Sequence, residues 1–266
     1  MEDGPISDRP AGAALGSRSN LVSASMSRLL DALTPPLCPI TNERVSAPGI
    51  IAAHAWAKLR FIDDPVCARC GAPFSHEVGK GVECAGCIAD PPEFDSARAA
   101  VIYDDASHGL IVSFKHADRT DLTPLLAQWL ARAGSGLVTP GALLIPAPLH
   151  PARLFARRYN QAALLSRAVA ALTGARFEPM ALTRLRPTPP QKNLSPEARR
   201  RNVAGAFAVR ADKAALVAGA HIVLVDDVLT TGATLSSCAR ALKKAGAARV
   251  DALVLARVVR GGTALA

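Results

Sequence analysis

The sequence predicts an α/β protein: a parallel sheet core flanked by helices, preceded by a small metal-binding module. Three observations carry this. Strand-length apolar segments alternate with helix-length segments from about residue 95 onward, the pattern of a doubly covered parallel sheet. Two CxxC pairs, Cys67-Ala-Arg-Cys70 and Cys84-Ala-Gly-Cys87, stand ahead of them. The chain has 266 residues and is 50% hydrophobic, enough for one sizeable core with about a hundred residues left for something smaller. The expected units are a tail with a short helix (1–34), the metal module (35–92) and the α/β body (95–260).

The elements follow in order. Residues 1–20 are rich in Gly, Ala, Ser and Pro and read as a loose tail; 21–33 suit a short amphipathic helix ended by Pro35-Pro36. Residues 97–103 read as a strand, 108–116 and 122–132 as helices, with Pro124 tolerated in a first turn. Residues 142–145 form a short strand cut by Pro146 and Pro148, and 161–173 a helix with Gly174 at its end. A long polar stretch rich in Pro and Arg spans 184–204. Then come a buried strand at 222–225, a helix at 234–245 closed by Gly246, and a last strand at 250–259.

Composition narrows the function classes. The chain is too apolar to be disordered. Aromatics are only 4%, so base-stacking platforms are scarce. No stretch reaches the ~18 apolar residues of a spanning helix. The N-terminus opens with Glu2 and Asp3 and lacks a basic region before an apolar run, so a cytoplasmic location with reduced cysteines is expected. The net charge of +9 calls for an anionic partner. That charge is local: residues 140–210 hold eleven arginines and Lys192 against Glu178 and Glu197.

A CxxC pair folds as a tight knuckle with both thiolates on one side, and two facing knuckles make the tetrahedral sulfur cage that Zn²⁺ prefers. Cys67, Cys70, Cys84 and Cys87 are therefore the expected ligands of a structural zinc. Cys38-Pro-Ile-Thr41 reads as a further knuckle that has lost its second cysteine. His54 and His76 read as surface histidines rather than ligands of a second site.

The run His221-Ile-Val-Leu-Val-Asp226-Asp227-Val-Leu-Thr230-Thr231-Gly232-Ala233-Thr234 has its own logic. An apolar strand delivers two carboxylates to the C-terminal edge of a parallel sheet, where open α/β sheets bind ligands. A loop of hydroxyl residues and glycine then enters a helix, so backbone N–H groups converge on an anion. A phosphorylated sugar fits both halves, with its phosphate in the loop and its hydroxyls on the acids. The chain lacks the GxxxxGK[ST] of P-loop proteins and a GxGxxG after a strand.

This run resembles the 5-phosphoribosyl-1-pyrophosphate (PRPP) motif of type I phosphoribosyltransferases. Together with the knuckles, Ile145-Pro-Ala-Pro148, Arg157-Arg158-Tyr159-Asn160-Gln161, Pro190-Gln191 and Arg199-Arg200-Arg201-Asn202, it is similar to ComF-type proteins, which are linked to DNA uptake in natural competence. The resemblance implies a type I phosphoribosyltransferase fold with a flexible hood, preceded by a zinc ribbon. It implies that Asp226 and Asp227 hold the ribose hydroxyls, with Mg²⁺ bridging ribose and pyrophosphate. Thr230, Thr231, Gly232, Ala233 and Thr234 take the 5-phosphate, and Ala147, Pro148, Leu149 and His150 form the pyrophosphate loop. Arg157, Arg158, Gln191 and Lys115 complete the substrate contacts, and residues 184–204 form the hood. Thr41 and Arg158 depart from the usual cysteine and glycine. Purine-salvage members commonly carry an aspartate base where this chain has Thr230. Two function classes stay open: a phosphoribosyltransferase with an unknown acceptor, and an idle PRPP-fold accessory protein that binds single-stranded DNA. A competence helicase or other uptake proteins are the implied protein partners.

Overall fold

The computed structural model describes residues 35–116, 119–150, 154–155, 159–186 and 195–259. The tail and helix expected at 1–34, Arg157, Arg158 and Gln191 lie outside them. The described elements are α1 (Ala53–Trp56), α2 (Ala85–Ala89), β1 (Ala97–Ile102), α3 (Asp105–His116) and α4 (Thr123–Ala133); then β2 (Leu143–Pro146), α5 (Gln161–Thr173), β3 (Arg176–Phe177), β4 (Leu182–Arg184) and α6 (Pro196–Val203); then β5 (Phe207–Val209), α7 (Ala214–Val217), β6 (His221–Leu229), α8 (Ala233–Lys244) and β7 (Arg249–Arg257).

Five strands form one parallel sheet in the order β1-β7-β6-β2-β3. Both faces are covered, which is why the strands read as continuous apolar runs. Leu144, Val223, Val225, Leu253 and Leu255 face the helices α3, α4 and α5. Ile145, Ile222, Leu224, Ala252 and Val254 pack with Leu235, Cys238 and Leu242 of α8. No helix among the described residues is long and apolar enough to cross a membrane.

Helix α5 spans 161–173, as its flanking residues predict. Asn160 caps its start by accepting from the Ala162 N–H at 3.0 Å, and Gly174 ends it in the left-handed region at φ 72°. The polar stretch at 184–204 needs a correction. Its second half is a helix, α6, opened by Ser195, whose Oγ accepts from the Ala198 N–H, and by Pro196 in the first turn. A two-stranded antiparallel hairpin of β4 and β5 flanks it. The strand at 222–225 is also longer than expected: β6 continues through both acids to Leu229.

The cysteine-bearing region docks on the β1 edge. The Ile62 N–H donates to the Ala100 carbonyl, and the Ile102 N–H to the Arg60 carbonyl. Gly71, at φ +66°, lies so close to β1 that a Cβ there would sit 2.5 Å from the Ala97 carbonyl oxygen, so a side chain cannot be accommodated. The Cys38 half keeps a knuckle-like turn, with the Asn42 N–H donating to the Cys38 carbonyl and the Cys38 N–H to Glu43. Its surroundings are held by an aromatic trio, Trp56, Phe61 and Trp129, with ring centroids 5.0–5.5 Å apart.

Candidate functional site

The sheet has a topological switch point between β6 and β2. From β2 the chain crosses through α5 to β3 on one side; from β6 it crosses through α8 to β7 on the other. Ligands of open α/β sheets bind in the crevice such a divergence creates. The registers sharpen it. β2 pairs with β6 only as far as Pro146 opposite Val225, whereas β7 follows β6 out to Leu229. Asp226 and Asp227 are thus the first residues of β6 without a β2 neighbour.

Lys115, from the end of α3, reaches this point: its Nζ lies 3.0 Å from Asp227 Oδ2, with both side chains about one-fifth exposed. Asp226 Oδ1 accepts from the Asp227 N–H at 2.8 Å. Burial, and secondarily the Asp227 charge, push the Asp226 carboxyl up to about 7, against the opposing pull of that N–H, Lys115 and Arg184. Lys115 pairs with Asp227, and Arg184 also acts on Asp226, but these leave the Asp226 carboxyl raised, so the pair is only partly offset. Two adjacent hard-oxygen donors with residual negative charge are a set that suits Mg²⁺.

The loop after Leu229 turns at Gly232, whose φ of +77° lies in the left-handed region and which forms the N-cap of α8. Ala233 is buried and Thr234 half-buried just beyond it. Thr230 is exposed and its Oγ1 accepts from Arg199 Nη1 at 3.2 Å, tying α6 to the loop. The Thr231 hydroxyl is buried and has no hydrogen-bond partner among the described residues. An orphaned hydroxyl beside a glycine turn and a helix start is the arrangement an anionic group would complete.

Across the crevice, Ala147 follows β2, its N–H donating to the Val225 carbonyl at 2.8 Å; Pro148, Leu149 and His150 are half-buried beyond it. The Tyr159-Asn160-Gln161 run serves this edge indirectly. Asn160 Nδ2 donates to the Ala147 carbonyl, Gln161 Nε2 to the Lys115 carbonyl, and the Tyr159 hydroxyl to the Phe114 carbonyl. Start-of-helix polar residues thus fix the backbone on which Lys115 and Ala147 are carried, a role that motif reading alone does not show.

The four cysteine sulfurs converge as expected. All lie within 4.8 Å of one another, and Cys70 and Cys84 are 3.7 Å apart. Tetrahedral Zn–S bonds of ~2.3 Å require S···S separations of ~3.8 Å, so the cage fits Zn²⁺. The Cys70 and Cys84 N–H groups donate to Cys67 Sγ at 3.4 and 3.2 Å. With Cys70 as donor, Cys67 is pushed down to about 4, while burial pushes Cys87 up to about 12. His54 instead faces Glu43 at 3.5 Å, and His76 is exposed beside Ser75. Among the described residues this is the one group of three or more Cys, His, Asp or Glu side chains whose ligand atoms converge closely enough to hold a metal.

Missed by sequence reasoning is Arg257, at the end of β7. Its guanidinium donates to the Cys70 carbonyl at 2.5 Å and to Cys70 Sγ at 3.1 Å, across 187 positions of sequence. Nothing in the local sequence marks it, beyond being a cation ending an apolar strand.

Fold and site together define a phosphoribosyltransferase-type α/β body joined to a zinc ribbon. The family models agree: a phosphoribosyl transferase domain matches residues 172–263, and a double zinc ribbon domain residues 29–88. The DNA utilization protein YhgH of Salmonella typhimurium is 32% identical over 217 residues, covering 79% of this chain and 91% of that protein. Its counterpart in Escherichia coli K12 is 31% identical over 74% of this chain and 86% of that one. Competence protein F of Haemophilus influenzae is 30% identical over 73% and 85%. The chain belongs to this ComF-type family of DNA-utilization and competence proteins. Of the double ribbon, one half keeps its four cysteines and the other keeps Cys38.

Proposed function

We propose that the protein binds PRPP with Mg²⁺ at the β6–β2 crevice and transfers the phosphoribosyl group to an acceptor, in support of DNA uptake or utilization. The observation that carries this reading is the Asp226–Asp227 pair at the switch point, under-compensated by Lys115 and followed at once by a glycine turn with an unpartnered threonine hydroxyl. In this reading Asp226 and Asp227 accept from the ribose 2- and 3-hydroxyls. The Thr230–Thr234 loop donates backbone and hydroxyl hydrogens to the 5-phosphate. The Ala147–His150 backbone, with Arg157 and Arg158, meets the pyrophosphate, and Gln191 belongs to the closing hood. When bound, Mg²⁺ offsets the charge that develops on the leaving pyrophosphate. The chain's part is to orient the sugar and to exclude water as α6 closes, since water is the competing acceptor. Thr230 supplies no general base at neutral pH, so the acceptor's nucleophile is one that needs none from this loop.

The test is calorimetric titration of PRPP with Mg²⁺, followed by pyrophosphate release with pooled candidate acceptors. Undetectable PRPP binding would refute the reading. The second reading, an idle fold that binds single-stranded DNA, draws on the arginine excess at 140–210. At least five of those arginines are already engaged within the chain: Arg184 over the Phe207 ring, Arg186 on the Ala204 carbonyl, Arg199 on Thr230, Arg200 on Asp90 and Arg210 on Asp212. Single-stranded DNA affinity measured at two salt concentrations separates the readings, because backbone contacts give a steep salt dependence.

A further inference from the structure

Helix α6 meets α8, the loop after β6 and the zinc ribbon. Its last residue, Val203, is buried, and the Val203 carbonyl accepts from Ser237 Oγ of α8 at 2.7 Å. Arg199 Nη1 donates to Thr230 Oγ1 at 3.2 Å in the loop. Arg200 pairs with Asp90, which ends α2 on the ribbon. We propose that Asp90 is a positioning residue for the phosphoribosyl site: through Arg200 it sets where α6 stands, and so where Arg199 meets Thr230, which makes the zinc ribbon part of what shapes that site. This rests on the transfer reading above and adds a determinant of the same site.

With eight residues, α6 is too short to stand alone in water, so what it touches fixes its place. Arg199 and Arg200 are neighbours in sequence, about 100° apart around the helix axis, so one reaches the loop while the other reaches the ribbon. The ribbon side is itself held. Asp90 follows the turn that carries Cys84 and Cys87: its N–H donates to the Gly86 carbonyl at 3.0 Å, and the Cys87 and Ile88 N–H groups donate to the Cys84 carbonyl at 2.9 and 3.1 Å. Pro91-Pro92 then stiffens the chain. Glu93 fastens it to α8: its N–H donates to Ser236 Oγ at 3.4 Å, and its Oε1 accepts from Arg240 Nη2 at 2.7 Å. The segment from the metal knuckle to α8 thus runs beside α6, and Asp90, Arg200, Val203 and Thr231 line one recess.

The Arg200 and Asp90 side chains are 51% and 66% exposed, so their pairing adds little to global stability. Without Asp90, Arg200 keeps Glu197 at 3.6 Å, a neighbour on α6 itself, and no charge is stranded. What Asp90 controls is therefore the seating of α6 and not the fold.

The experiment uses the full chain in its zinc-bound form, with one zinc per chain checked by mass spectrometry. Limited trypsin digestion reads the seating of α6 without any ligand, because cleavage at Arg199, Arg200 and Arg201 requires the helix to open. Asp90→Ala should speed cleavage at these arginines about two- to fivefold, with Tm lowered by less than about 4 °C. Calorimetric PRPP–Mg²⁺ affinity should fall by about the same factor, and Asp90→Glu should recover part of both. Added to Thr230→Val, which removes the acceptor of Arg199, Asp90→Ala should weaken PRPP binding no further. Unchanged cleavage in Asp90→Ala, or losses of affinity that simply add in the double variant, would overturn the proposal. A parent protein that binds no PRPP would refute the transfer reading, and cleavage alone then decides whether the ribbon seats α6.

Discussion

Strands β6 and β7 carry carboxylates at both ends of the sheet, and the two ends treat them differently. At the N-terminal end Asp251 is fully buried, with His221 Nε2 and Arg249 Nε each 2.8 Å from its Oδ2. At the C-terminal end Asp226 and Asp227 stand side by side with one close lysine. The first arrangement is offset at one oxygen: Oδ2 is met by groups of the same two strands, while Oδ1 is buried without a hydrogen-bond partner among the described residues. The second is only partly offset, and burial, with the neighbouring Asp227 charge second, raises the Asp226 carboxyl. Charge that a fold balances internally serves stability; charge it leaves only partly offset in a crevice is what a cation-bearing ligand relieves.

This contrast can be broken from either end. The largest effect is expected at the N-terminal end. His221→Ala combined with Arg249→Met leaves Asp251 charged and uncompensated in the interior, which should cost about 3–5 kcal/mol in urea unfolding. A loss below ~1 kcal/mol would mean that these two groups are not what offsets Asp251.

At the C-terminal end, Asp226→Asn with Asp227→Asn should lower PRPP–Mg²⁺ affinity at least ~100-fold, or ~2.7 kcal/mol, without loss of fold by circular dichroism. Retained affinity would remove the acids from the site.

Asp226→Asn alone should also stabilise the protein in a pH-dependent way. The folded carboxyl titrates at about 7 and an unfolded one near ~3.9. Between these values the unfolded chain ionises and the folded chain does not, so parent stability falls as pH rises from about 4 to about 7 and stays low above it. The variant's Tm should therefore exceed the parent's at pH 8, with the gap closing towards pH 4. A constant gap would show that the Asp226 charge is not the cause.

The smallest effect is expected for Lys115→Met, about three- to tenfold in PRPP affinity, because the lysine offsets one carboxylate and holds no other part of the site. A hundredfold loss would make Lys115 a direct substrate contact.

Much of this architecture was legible from local patterns. The strands at 97–102 and 143–146 and helix 161–173 follow from apolar runs, Asn160 and Gly174, because short-range signals suffice to start and end such elements. The missed helix α6 had its signals too: Ser195-Pro196-Glu197 is a capped start, hidden by the low hydropathy of the arginine run. The β4–β5 hairpin gave no such cue, since three-residue strands separated by α6 have neither period nor turn to reveal them. Trp56, Phe61 and Trp129 likewise meet only because the ribbon lies on the β1 edge.

The sequence by itself determined which chemical groups are present and their local spacing: two knuckles of cysteine, two acids at the end of an apolar strand, a threonine–glycine loop before a helix. These are contiguous, and nearest-neighbour geometry decides them. Only the tertiary structure decided which of the charges are balanced. Asp251 finds His221 30 positions away, and Cys70 finds Arg257 187 positions away. Electrostatic compensation acts over a few ångströms of space, and distance along the chain does not report it.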